Sequence, residues 1–88
     1  GGSSVQQKTN TLKAKVFPNP VTDYLYIQVD SPIKQYSILG LEGTELFKYS
    51  GVIDKIDMKS FASGNYILQV KYEENGKERT EVFKIVVQ

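Results

Sequence analysis

From Leu12 onward, apolar and polar positions alternate in short runs, and turn residues interrupt the pattern roughly every 8–12 positions. That rhythm predicts strands at 12–17, 24–29, 33–39, 44–49, 52–56, 65–72 and 77–87. The only helical candidate, around Asp57 to Ala62, is one turn long. In the second run Leu25, Ile27 and Val29 share one face, while Tyr24, Tyr26 and Gln28 share the other. The first run stops at Pro18-Asn19-Pro20, because two prolines withhold backbone donors and force the residues before them into extended conformations. Asp30-Ser31-Pro32, Gly40 through Gly43 and Ser50-Gly51 supply further turns.

The last third carries the most information. Asn75-Gly76 predicts a two-residue hairpin turn, in which both residues take positive φ. That loop sets a register with Glu74 opposite Lys77, Tyr72 opposite Arg79, Leu68 opposite Phe83 and Tyr66 opposite Ile85. One face then gathers Tyr66, Leu68, Val70, Phe83, Ile85 and Val87, which makes it the core side. The other face holds an apolar row, Ile67, Val82 and Val86, where solvated residues are expected. With Lys84 beside it and Val87-Gln88 after it, this row is the candidate partner-binding surface. The terminal strand is expected at a sheet edge, which also leaves room for pairing between two copies.

So many half-apolar antiparallel strands are best buried as two facing layers, an all-β immunoglobulin-like β-sandwich of about seven strands. Phe61-x-x-Gly64-x-Tyr66 fits a tyrosine corner, in which the hydroxyl reaches back to the backbone upstream; the plainer reading is a core aromatic. With 88 residues there is room for one domain, placed at 12–88. Residues 1–11 are polar and aperiodic and read as a disordered linker, or as a cloning remnant beginning Gly1-Gly2-Ser3-Ser4. With no cysteine, the domain depends on sheet pairing and aliphatic packing.

Charge and chemistry narrow the function classes. The net charge is +1 with both signs interspersed, unlike the basic face of a nucleic-acid binder. There is neither a basic amphipathic helix for a membrane surface nor an apolar run of about 20 residues for a span. Lacking His and Cys, the chain is without the commonest general base, the commonest thiol nucleophile and nearly all zinc ligand sets. Ser60 and Lys59 are neighbours that point apart in extended chain, which disfavours a dyad. Gly40-Leu41-Glu42-Gly43 has no phosphate-cradle pattern. Asp54 and Asp57 read as a solvated loop and a turn cap rather than a calcium shell. Lys71, Lys77 and Arg79 mingle with Glu73, Glu74, Glu78 and Glu81 as a solvated edge. Tyr24 and Tyr26 could stack on sugar rings, though tyrosine is also simply a good strand former. No catalytic constellation, metal site or cofactor site emerges. The chain reads as a binding or recognised module, not an enzyme.

Three ordered blocks carry a family resemblance. Pro18-Asn19-Pro20-Val21-Thr22-Asp23-Tyr24-Leu25-Tyr26-Ile27 resembles the opening motif of the C-terminal sorting domains of type IX secretion cargo in Bacteroidetes. The likeness continues through Ile38 to Leu46 and through Ile56 to Val70, and closes with Lys84-Ile85-Val86-Val87. Each block alone is weak, but their order over roughly residues 16–88 is specific. Pro18, Asn19, Pro20, Gly43, Gly64 and Tyr66 match the motifs, most of them in the service of the fold. Gly40 departs from the Asn or Asp often found there, and Gln88 from the terminal Lys or Arg of many members.

The resemblance implies an address label. Such a domain ends a cargo protein that travels through the periplasm, is recognised by the type IX apparatus at the outer membrane, and reaches the surface. A surface sortase then commonly removes it, so the domain is that enzyme's substrate. Neither nucleic acid nor direct membrane insertion enters this reading. The alternatives are an immunoglobulin-like accessory module that binds glycans, and a spacer in a cell-surface protein.

Overall fold

The structure, a computed structural model, describes residues 14–51 and 54–88. The expected lead-in at 1–11, the start of the first predicted strand and Val52-Ile53 of the fifth lie outside the described residues. Among the described residues seven strands follow one another: β1 (Ala14–Phe17), β2 (Tyr24–Val29), β3 (Ile33–Leu39), β4 (Glu45–Ser50), β5 (Lys55–Asp57), β6 (Gly64–Glu74) and β7 (Lys77–Val87). They form two antiparallel sheets, ordered β1-β2-β5 and β4-β3-β6-β7. This is an all-β fold consistent with an immunoglobulin-like sandwich. The predicted single helical turn is a tight turn closed by Phe61 N–H on the Met58 carbonyl at 3.1 Å.

Local chemistry accounts for the terminal hairpin. Asn75 and Gly76 have φ of 53° and 77°, as the two-residue loop demands. The ladder runs from Glu74↔Lys77 to Gly64↔Val87 in the register expected from that loop. At the other end of β6, the Tyr66 hydroxyl donates to the Ala62 carbonyl at 2.6 Å. The Phe61 ring meets the Tyr66 ring edge-on at 5.5 Å. This is a tyrosine corner, and Gly64 at φ 153° supplies the turn that a side chain would resist.

Alternation places the core. Leu25, Ile27 and Ile56 face inward from the smaller sheet, and Ile38, Leu68, Val70 and Ile85 from the larger. Each such side chain contributes about 1.5–3 kcal/mol by leaving water. Val21 and Met58, from connecting segments, are fully buried and plug the sandwich between the layers. Three strands do not cover four, so every residue of β4 is exposed. Phe47 and Tyr49 lean on Tyr36, with ring centroids 6.0 and 5.8 Å away.

Candidate functional site

The terminal hairpin presents one face to solvent. Across the ladder Ile67 stands opposite Lys84, Gln69 opposite Val82 and Asn65 opposite Val86. Val82 is 56% exposed, while Ile67 and Val86 are half-buried between their neighbours. On the other side of β6, Leu39 pairs with Ile67 and is half-buried too. The apolar row therefore extends onto β3, a neighbour that only the sheet order reveals. Lys84 lies within the row and Gln88 at its end, both exposed. Val87 is different: it is 3% exposed and belongs to the core, so its side chain leaves the proposed contact row. Strand alternation is the reason, because it turns every second residue of β7 inward.

The edge of β7 is only partly open. Asn19 donates from Nδ2 to the Lys84 carbonyl at 2.8 Å, and its Oδ1 accepts from Val86 N–H at 3.0 Å. Next, Val21 N–H donates to the Val86 carbonyl at 2.8 Å, and the Val21 carbonyl accepts from Gln88 N–H at 2.9 Å. Val21 and Val87 thus form a parallel bridge, and the Asn19 amide repeats the same pattern of bonds around Ile85. A primary amide can do this because it carries the same donor and acceptor as a peptide group. The bonds from Phe17 to Pro18 and from Asn19 to Pro20 are both cis. The expectation of an unprotected terminal edge is therefore corrected over Lys84–Gln88, where the Asn19–Val21 segment occupies it. Sequence reading matched Asn19 to a motif without seeing this bond pattern, which spans more than sixty residues of chain.

Nearer the hairpin turn, buried Tyr72 of β6 donates its hydroxyl to the Glu81 carboxylate of β7. The second Glu81 oxygen accepts from Ala14 N–H at 3.3 Å, which ties β1 to the β6–β7 hairpin. Burial, and then the hydrogen bond to Glu81, push the Tyr72 hydroxyl up to about 12. Arg79 Nε lies 3.5 Å from Glu74 and Lys34 3.3 Å from Glu73. Of the charges read as a solvated edge, Glu73, Lys77, Glu78 and Arg79 are exposed, whereas Lys71, Glu74 and Glu81 are half-buried.

The remaining candidates find ordinary partners. Lys59 Nζ donates to the Tyr24 hydroxyl at 3.2 Å, a contact that does not involve its neighbour Ser60. Lys55 and Lys59 each lie 4.7 Å from the Tyr24 ring centre. Tyr26 stacks on Phe17 at 5.9 Å. The two tyrosines proposed for sugars are thus engaged by lysines in one case and by a phenylalanine ring in the other. Asp57 Oδ1 caps the following turn by accepting from Lys59 N–H at 2.9 Å, and Asp54 is exposed. Pro18 and Pro20 are exposed beside Asn19, and Gly43 at φ 96° completes the β3–β4 turn.

The sequence profile of one protein family, described as the secretion system C-terminal sorting domain, matches residues 15–88. No curated protein and no solved structure matches the chain.

Proposed function

This chain belongs to the family of secretion-system C-terminal sorting domains, and from that premise we propose how its surface is read. The family's domains are type IX sorting signals, which mark proteins for the cell surface or extracellular space in Bacteroidetes. The reading proposed for this chain is that the apparatus recognises the folded sandwich through the outer face of the β6–β7 hairpin. Ile67, Val82, Lys84, Val86 and Gln88 provide the contacts. A surface sortase then removes the domain, which acts as substrate and not as catalyst.

The observation that carries this reading is the meeting of two family blocks in space. The Pro18-Asn19-Pro20 block and the closing Lys84–Val87 block are hydrogen-bonded to each other although they come from opposite ends of the described chain. A signal built from both ends exists only in the folded state. An unfolded tail would present neither the apolar row nor the clamped edge.

The test fuses the domain to a reporter bearing an inner-membrane signal, in a host with the type IX system. The intact domain should carry the reporter to the surface, and deletion of residues 78–88 should retain it inside. Surface display after that deletion would overturn the reading.

A further inference from the structure

Resting on the reading above that the domain is recognised by the type IX apparatus, the geometry points to the open part of the β7 edge, from Glu78 to Lys84, as a strand-docking site for an extended segment of that apparatus. The segment would carry alternate apolar side chains and a carboxylate.

The argument begins with the parity of an antiparallel strand. The N–H and C=O of any one residue point to the same side, and the side reverses at each step. Lys84, Val86 and Gln88 use backbone groups that point away from β6, since these are the groups that Asn19 and Val21 bind. Glu78, Thr80 and Val82 share that parity. Their outward backbone groups meet no backbone partner among the described residues, where β7 pairs only with β6 and at the Val21 bridge. An edge with unpaired donors and acceptors is a template for another strand. The Asn19 clamp confines that template to the stretch below Lys84.

The inner flank of this edge supplies the side-chain chemistry. Between β1 and β7 lies a groove of about 650 Å³, lined by apolar Val16, Phe17 and Phe83 together with Lys15, Lys84 and Asn19. Its described lining residues include two cations and no carboxylate, and neighbouring Glu81 is already bonded to Tyr72 and to Ala14 N–H, so an acidic residue on the incoming segment is favoured. Its apolar residues would cover Phe83, which is half-buried, and Phe17, which is 47% exposed. Main-chain pairing would provide affinity, and the groove specificity.

The decisive substitution is Val82→Pro. It removes an outward N–H and leaves every β6–β7 hydrogen bond in place, and proline is tolerated at edge positions of this kind. In the reporter fusion, V82P should fold like the parent and reduce surface display at least tenfold further than Val82→Thr, which alters the side chain but keeps the outward N–H; equal losses from the two overturn the docking site. Parental display by folded V82P overturns the docking site. Failure of the parent domain to export anything overturns the functional reading instead, so the two are distinguishable.

If V82P does not fold, amide hydrogen exchange of the parent decides. The Thr80 and Val82 amides should exchange at least tenfold faster than those of Phe83, Ile85 and Val86. Slow exchange at Thr80 and Val82 in dilute monomer means that the edge is already covered, and the proposal fails. Protection that appears only at high concentration, together with a dimer in solution, assigns the edge to a second copy and also overturns it.

Discussion

Val86 and Asn19 stand 67 positions apart in the chain, yet the Val86 N–H donates to Asn19 Oδ1 at 3.0 Å. With the partner bond from Asn19 Nδ2 to Lys84, a single side chain binds two outward groups of the last strand. Asn19→Ala removes both bonds and leaves those groups to water. With each net bond worth about 0.5–1.5 kcal/mol, the loss should be about 1–3 kcal/mol. In a domain of this size the melting temperature should fall by roughly 4–8 °C per kcal/mol. A thermal scan checks it, and an unchanged melting temperature would show that the clamp contributes nothing to stability.

The tyrosine corner can be tested with the removal of one oxygen. Tyr66→Phe keeps the edge-on contact with Phe61 and loses the 2.6 Å bond to Ala62. Its cost should be about 0.5–1.5 kcal/mol. Urea unfolding should show a lower midpoint with the slope unchanged. Equal midpoints for the two proteins would reduce Tyr66 to a packing aromatic.

Alkaline pH should weaken the fold through Tyr72. Its hydroxyl is held neutral up to about 12 in the folded state, against an ordinary value near 10. The folded state therefore retains a proton that the unfolded chain gives up first. The stabilisation from this group is complete below pH 10 and disappears as pH rises from about 10 to 12. Tyr72→Phe should flatten the fall of stability across that interval. Parallel curves for parent and Y72F, followed by denaturant unfolding at stepped pH, would contradict the assignment.

Two valines on one strand separate surface from core. Val82 is 56% exposed and Val87 3%. Val82→Ser should change stability by no more than about 0.5 kcal/mol. Val87→Ser should cost about 2 kcal/mol or more, because it empties core volume and buries a hydroxyl. Similar losses from both would mean that Val82 is covered in solution.

Much of this architecture was legible along the chain. β3 and β7 run over the predicted residues, and the Asn75-Gly76 turn produced the whole β6–β7 register, because a two-residue loop admits only one pairing. The inward set Leu25, Ile27, Leu68, Val70 and Ile85 followed from alternation alone. Tyr66 was read as a corner from its spacing to Phe61 and Gly64, and the bond to Ala62 agrees. The edges of β5 and the state of the terminal edge were not so readable. Among the described residues β5 occupies Lys55–Asp57 and so runs one residue past the predicted end at Ile56, because its place is set by pairing with Tyr24–Tyr26 of β2.

Strand periodicity, turn chemistry and the motif blocks by themselves determined the fold class, the hairpin and the family, since each depends on neighbours within a few positions. Only the tertiary structure decided which part of the last strand is open. That depends on where Asn19 and Val21 settle, and their partners at Lys84, Val86 and Gln88 lie more than sixty residues away in the chain. Hydrogen-bonding groups that meet only after two sheets have stacked leave no local trace in an amino-acid pattern.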